Sequence, residues 1–131
     1  MSVELVRAPA LSDEVPYAYA AVVAPGSLVF TAGACPLDDA GEVVAPGDVA
    51  AQAQVVMDNL VTALAASGCT LADVAKSTVY VASAERDDLV DAWQVVRAAF
   101  GDHDAPSTLL GVAALGYPTQ LVEVEAVAVR P

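Results

Sequence analysis

The sequence has few cysteine, histidine and basic residues, and these shortages exclude several classes of protein. Two cysteines and one histidine occur among 131 residues, which is too few for a Cys/His zinc site or a disulfide framework. Five Lys and Arg residues stand against seventeen Asp and Glu residues, giving a formal net charge of -12. Since nucleic-acid binding depends on basic side chains that neutralise phosphates, we expect no nucleic-acid partner, and we expect no metal site.

Long hydrophobic runs are also missing, although hydrophobic residues make up 56% of the chain and charged residues only 17%. No apolar run reaches the about 18 residues of a transmembrane helix, and the first ten residues lack the apolar segment of a signal peptide. We therefore expect a soluble, cytoplasmic protein without a membrane partner. The length predicts a single domain over residues 1–131, and the low charge predicts that some apolar surface contacts another subunit.

The N-terminal third of the chain predicts a hairpin followed by a long loop. Residues 18–23 and 28–32 are β-branched and aromatic runs separated by the turn residues Pro25 and Gly26, a pattern typical of two antiparallel strands. The stretch 33–47 is rich in glycine, proline and acidic residues. It therefore predicts a loop long enough to have a function.

Two amphipathic helices and three further strands are predicted in the remainder. Apolar residues recur every three or four positions from the N-cap candidate Asp48 to the stop at Gly68, and again from the cap candidate Ser83 to Gly101. The predicted strands are 74–82, 107–115 and 121–129. This order predicts an α+β domain, a mostly antiparallel sheet with two helices on one face.

Two glutamates on the last strand are the first candidates for chemistry. Glu123 and Glu125 lie two positions apart, so both side chains project from one face of the strand while Val122 and Val124 project from the other. A carboxylate on an inner or interface side has its charged form disfavoured by desolvation, which suits a general base or a group that positions water. The alternative is that both face solvent on an outer surface.

Three other side chains near predicted turns or loops are candidates for a functional role. Cys35 follows Gly33 at a strand exit, where backbone amides can converge on an anion or carbonyl; lacking a basic neighbour, it is interpreted as packed rather than nucleophilic. Tyr17 begins the first strand, with a hydroxyl available at a rim, although packing alone also explains it. His103 is predicted to be a solvated loop residue, which removes most Ser-His and Cys-His schemes.

Several segments carry a pattern that spans nearly the whole chain. They are VPYAYA, LVFTAGACPLDDAGEV, AAQAQVVMDNLVTALAASG with LADVAKSTVYV, and LLGVAALGYPTQLVEVEAVAV. In this order they resemble the Rid family, the YjgF-type reactive intermediate deaminases. The resemblance implies a chorismate-mutase-like fold assembled as a homotrimer, with ligand clefts between neighbouring subunits. It also implies cofactor-free hydrolysis of reactive enamines and imines to 2-oxo acids and ammonia.

The resemblance also implies that one signature residue is replaced. In archetypal members the segment matching APSTLLGV carries an arginine that grips the substrate carboxylate, and the glutamate matching Glu123 helps to position the attacking water. Here Ser107 stands at the arginine position, and Ala34 replaces a common glutamine. The missing charge-assisted bonds should weaken binding of a 2-imino acid by on the order of 1.5 to 3 kcal/mol each.

The cleft implied by the resemblance therefore suits a neutral ligand better than a carboxylate. The residues expected around it are Tyr17, Gly33, Ala34, Cys35, Ser107, Thr108, Tyr117 and Glu123, with Glu123 as the catalytic group. The first hypothesis is a deaminase-like hydrolase of a neutral imine, enamine or related carbonyl adduct. The alternative is a non-catalytic small-molecule binding protein that uses the same cleft. A ribonuclease role conflicts with the negative charge and the absence of a His-based acid/base pair.

Overall fold

Strands and helices alternate along residues 3–131, the part of the chain that the computed structural model describes. The elements are β1 (Val3–Val6), β2 (Ala20–Val23), β3 (Ser27–Phe30), α1 (Val49–Ala66), β4 (Val74–Val81), α2 (Arg86–Phe100), β5 (Ser107–Gly111) and β6 (Val122–Arg130), with a short 3-10 helix at Leu71–Asp73. The α+β class expected from the sequence is confirmed. β1 was not among the predicted strands.

The main sheet has the strand order β3-β6-β4-β5, and a separate two-stranded sheet pairs β1 with β2. β6 runs antiparallel to both of its neighbours. β4 and β5 are parallel, because α2 supplies the crossover connection that a parallel pair needs. The pairing is therefore mostly antiparallel, as expected, with one parallel pair.

The predicted hairpin between residues 18–23 and 28–32 is wrong. β2 pairs with β1, from Ala20 opposite Val6 to Val23 opposite Val3, and β3 pairs with β6. Each strand has only four residues, and an isolated two-stranded hairpin is at best marginally stable in water. The turn at Pro25 and Gly26 instead takes the chain from one sheet to the other.

Both helices pack on the same face of the main sheet. Asp48 caps α1 as predicted, its carboxylate accepting from the Ala51 amide at 3.0 Å, and Gly68 follows the helix with a φ of +80°. The buried residues of α1 and α2 form one core with alternate residues of β4 and β6. They are Ala53, Val56, Met57, Leu60, Leu64, Ala92 and Val96 on the helices and Val74, Val79, Val81, Val122, Val124, Ala126 and Ala128 on the strands.

By length and composition alone, α1 is one helix in the described part of the chain that is apolar enough to cross a membrane; polar residues interrupt it, and its buried stripe belongs to the core of this domain. The structure corrects two local expectations. α2 begins later than predicted, with Glu85 as its N-cap, and the Ser83 hydroxyl accepts from the Glu85 amide at 3.0 Å. His103 lies in a loop but is half-buried, its Nε2 2.7 Å from the Val74 carbonyl oxygen.

Gln52 is a fully buried polar residue that ties α1 to the loop before β6. Its Nε2 donates to the carbonyl oxygens of Ala45 and Thr119 at 3.3 and 3.0 Å. Its Oε1 accepts from the Leu121 amide at 2.7 Å. Two of these bonds hold the loop before β6 and one holds the loop before α1. Each buried group would cost free energy if it lost its partner.

Replacing Gln52 should therefore destabilise the fold, whereas replacing Gln54 on the exposed side of α1 should not. We expect Gln52→Ala to lower the free energy of unfolding by about 2 to 4 kcal/mol, because several buried groups lose their partners. Gln54→Ala should change it by no more than about 0.5 kcal/mol. Urea denaturation at one protein concentration measures both, and equal losses in the two variants would contradict the role given to Gln52.

Candidate functional site

A cavity of about 460 Å³ opens where the chain leaves β3. Its wall includes Thr31, Gly33, Ala34, Cys35, Asn59 and Tyr117. Asn59 reaches across from α1, its Nδ2 donating to the carbonyl oxygens of Cys35 at 2.8 Å and Leu37 at 3.1 Å. The helix therefore fixes the loop backbone, a contact that sequence reasoning did not assign.

Glu123 contacts Cys35 and Gly33, two residues in the wall of this cavity, which we call the first cavity. Its Oε1 accepts from the Gln120 side-chain amide at 3.0 Å and from the Cys35 thiol at 3.4 Å. Its Oε2 lies so close to Gly33 that a Cβ added there would stand 2.0 Å from it. The Glu123 carboxylate can therefore lie beside the end of β3 only because Gly33 has no side chain.

The loop itself is anchored to β6 by backbone bonds. The Ala34 amide donates to the Val124 carbonyl oxygen at 2.7 Å, and the Val124 amide donates back to the Ala34 carbonyl oxygen at 3.2 Å. Since side chains alternate along a strand, this bridge sets Val124 toward the core and Glu123 toward the loop. The register of β6 thus brings the carboxylate to Gly33 and Cys35.

The Cys35 thiol is held in its protonated form. Burial raises the pKa of Cys35 from 9.0 to about 11, and the hydrogen bond to the negative Glu123 carboxylate adds to the rise. A thiol with such a pKa is a hydrogen-bond donor near neutral pH rather than a nucleophile. This agrees with the interpretation of Cys35 as a packed side chain.

Glu125 lies on the same sheet face as Glu123 but has a different partner. Both glutamates are half-buried on the face opposite the helices. The Tyr80 hydroxyl donates to Glu125 Oε2 at 3.1 Å. Burial, followed by the bond to Glu125, raises the pKa of Tyr80, which keeps the phenol protonated. Glu125 therefore joins β6 to β4, whereas Glu123 contacts Cys35 in the wall of the first cavity.

Three predicted site residues lie elsewhere, around a second cavity of about 460 Å³ formed with Trp93. They are Tyr17, Ser107 and Thr108. The Ser107 hydroxyl bonds to the Ser77 hydroxyl and donates to the Ala105 carbonyl oxygen at 3.2 Å. One chain thus brings together Gly33, Ala34, Cys35, Tyr117 and Glu123, and separately Tyr17, Ser107 and Thr108.

Lys76 brings a positive charge close to the second group, which sequence reasoning did not foresee. Its Nζ donates to the Thr108 hydroxyl at 2.7 Å. Thr108 and Ser107 are consecutive on β5, so their side chains project from opposite faces. The ammonium group therefore neighbours the position next to Ser107 rather than Ser107 itself. Within residues 3–131, no three His, Cys, Asp or Glu side chains cluster closely enough to hold a metal ion.

Comparison with known proteins gives consistent matches along most of the chain. A family model described as Endoribonuclease L-PSP matches residues 10–130. The 2-iminobutanoate/2-iminopropanoate deaminase of Escherichia coli K12 is 34% identical over 109 residues, 80% of this chain and 81% of that protein. Protein DfrA of Myxococcus xanthus is 42% identical over 66 residues, so the chain spans about half the length of this relative. The crystal structure of YyfB, a conserved Rid-family protein of Yersinia pestis, has a TM-score of 0.91 at 30% identity, covering 98% and 99% of the two chains.

The contact between Cys35 and Glu123 predicts how the thiol titrates. We expect alkylation of Cys35 to rise with pH around a midpoint of about 11 rather than 9.0. Glu123→Gln should lower that midpoint, because the thiolate no longer faces a negative charge, while burial keeps it above 9.0. Pulse alkylation followed by peptide mass spectrometry measures Cys35 separately from the buried Cys69. An unchanged midpoint in Glu123→Gln would contradict the contact.

Proposed function

Since this chain belongs to the Rid family, the YjgF-type proteins matched by the Endoribonuclease L-PSP model, we propose that it is a deaminase-like hydrolase. Its substrate is a reactive enamine, imine or related small metabolite, and its activity on 2-imino acids is weak or absent because Ser107 stands where the family has its carboxylate-binding arginine. Similarity to the Escherichia coli 2-iminobutanoate/2-iminopropanoate deaminase supports the reaction class.

The observation that carries this proposal is the fixed Glu123 carboxylate at the edge of the first cavity. Its Oε1 accepts two hydrogen bonds, so the orientation of the carboxylate is fixed, and we assign it to hold the attacking water. As the water oxygen bonds to the imine carbon, the carboxylate takes the water proton. Returning that proton to the nitrogen gives the neutral carbinolamine. The same carboxylate then takes the carbinolamine hydroxyl proton and delivers it to the nitrogen, so that the C–N bond breaks, ammonia leaves and the carbonyl forms. An enamine first takes a proton on carbon to become the imine.

The preference for a neutral substrate follows from the charges near the proposed site. The protein has a net charge of -12, and the first cavity is bordered by a carboxylate. The Glu123 carboxylate repels an anionic substrate, and no arginine guanidinium at position 107 offsets this repulsion. A substrate without a carboxylate avoids this cost.

We further propose that the site is completed between subunits of a homotrimer. The division of the candidate residues between two cavities of one chain supports this arrangement, because the second cavity of a neighbour is able to face the first. Phe30, which borders the first cavity, has 72% of its surface exposed, and Leu28 on the same strand has 51%. A cytoplasmic location and the lack of a cofactor stay predictions.

The alternative is a non-catalytic binding protein that uses the same cleft. Two features favour it: the replacement of the carboxylate-binding arginine by Ser107, which the resemblance implies, and a Cys35 thiol that stays protonated and gives no nucleophile. The two functions differ in turnover. Ammonia release from an enamine generated in situ, first with and then without a carboxylate, distinguishes them directly.

The trimer proposal predicts a sedimentation-equilibrium mass of three times 13.3 kDa. Phe30→Asp should shift the mass toward a single chain, because a charge would enter an apolar subunit contact. Leu11→Asp, at another exposed apolar residue, is the matched control and should leave the mass unchanged. A wild-type protein that sediments as one 13.3 kDa species at micromolar concentration would contradict the proposal.

The role given to Ser107 predicts poor hydrolysis of 2-aminoacrylate, the anionic enamine derived from serine. We expect Ser107→Arg to raise this activity by about tenfold or more, since a charge-assisted bond contributes roughly 1.5 to 3 kcal/mol. Ser107→Gln adds length without charge and should give little gain. A coupled assay against an arginine-bearing Rid protein measures all three. If the wild type matches that reference protein, another cation serves the carboxylate and the role of Ser107 is wrong.

The catalytic role given to Glu123 predicts unequal effects at the two glutamates of β6. Glu123→Gln keeps size and hydrogen bonding but removes the proton acceptor, so turnover of a neutral imine should fall by roughly two orders of magnitude. Glu125→Gln should have a much smaller effect, because Glu125 bonds to Tyr80. Initial rates of ammonia release test both variants. Wild-type rates in both would remove Glu123 from the mechanism and favour the binding protein.

A further inference from the structure

Gln120 is a buried side chain with three hydrogen bonds at the edge of the first cavity. It is only 3% exposed. Its Nε2 donates to Glu123 Oε1 at 3.0 Å and to the Val122 carbonyl oxygen at 3.1 Å. Its Oε1 accepts from the Tyr117 amide at 3.2 Å. These partners fix the direction of the carboxamide, because only the nitrogen donates and only the oxygen accepts.

The turn that carries Gln120 is conformationally strained. Thr119 has a φ of +65°, a left-handed conformation that is a true outlier for a β-branched residue. Such strain persists only where the surrounding structure imposes it, and it is common at functional sites. Here the Gln52 side chain holds the Thr119 carbonyl oxygen at 3.0 Å, and the Gln120 amide closes the turn on the Tyr117 carbonyl oxygen at 3.1 Å.

We propose that Gln120 is a positioning residue, whose buried carboxamide holds the Glu123 carboxylate beside Gly33 and also fixes the turn that presents Tyr117 to the first cavity. This inference rests on the proposed function, because it assigns Gln120 to the machinery that orients Glu123. The Gln120 side chain thus connects the turn at Tyr117, which lines the first cavity, to the Glu123 carboxylate.

Among the groups around Glu123, the Gln120 side-chain amide is the strongest hydrogen-bond donor to its carboxylate. The other group bonded to the carboxylate is the Cys35 thiol, at 3.4 Å, and a thiol is a weak donor. Across the sheet, Tyr80 is paired with Glu123 in register, but its hydroxyl donates to Glu125. A neutral carboxamide thus holds the carboxylate without supplying a charge.

The test compares Gln120→Met with Gln52→Met, because both glutamines are buried and both hold the same turn. Only Gln120 contacts Glu123, so a purely structural role would give both variants the same behaviour. Each substitution is made in the wild type and in Glu123→Gln. The first readout is the rate of Cys35 alkylation at about pH 9.5 by iodoacetamide, followed by peptide mass spectrometry, which requires no substrate.

We expect Gln120→Met to slow Cys35 alkylation by about threefold or more, the scale on which contacting side chains are coupled. Without the carboxamide donor, the thiol faces the full negative charge of the carboxylate and holds its proton more strongly. In Glu123→Gln the same substitution should slow alkylation less, because the carboxylate charge is absent and only the direct hydrogen bond from Gln120, which lowers the Cys35 pKa, is lost. Gln52→Met should leave alkylation unchanged in both proteins.

The second readout is turnover of a neutral imine, where Gln120→Met should lower kcat more than it changes KM. Gln52→Met should reduce stability but leave kcat unchanged. A change in alkylation smaller than threefold, or an equal change with and without Glu123, overturns the role of Gln120. A wild type that turns over no imine overturns the proposed function instead, and the alkylation measurements still decide whether Gln120 holds Glu123.

Discussion

Strand β6 is the element on which the rest of the structure depends. It lies between β3 and β4 in the main sheet, and the loop after β3 bonds to it again at Val124. In its first half, apolar residues alternate with Glu123 and Glu125, so one face supplies the core under both helices and the other supplies the two carboxylates. A shift of one residue would exchange the two faces, bury the charges and expose the core. The core therefore fixes the register that sets Glu123 at the first cavity.

The position of the Glu123 carboxylate also depends on a glycine in the loop after β3 and on an asparagine of α1. Gly33 lacks the Cβ that would collide with the Glu123 carboxylate, and Asn59 of α1 holds the adjoining loop by its carbonyl oxygens. Neither contact contributes a charge. The helix, the loop and the strand thus meet around one carboxylate whose direction is set by neutral groups.

Sequence reasoning identified the elements with strong periodicity and missed what depends on distant contacts. The alternation of β6 and the 3.6-residue period of α1 are local, so the core face and the two-residue spacing of Glu123 and Glu125 followed directly from them. The hairpin prediction was wrong because β3 pairs with the longer strand β6, which lies about a hundred residues away in sequence. Gln120 lies in a turn without periodicity, and no local pattern shows that its amide reaches Glu123. The division of the candidate residues between two cavities likewise depends on tertiary packing.

The protonated state of Cys35 argues against a thiolate nucleophile at the first cavity. With its pKa at about 11, the thiol donates a hydrogen bond to Glu123 at neutral pH, so covalent attack by a thiolate is disfavoured. The histidine that most nucleophile schemes need is bonded to the Val74 carbonyl oxygen instead. A carboxylate with two neutral donors on one oxygen is suited to hold a water and accept its proton. Water is therefore the nucleophile that this arrangement favours, and it requires an electrophile already activated in the substrate, as the carbon of an imine is.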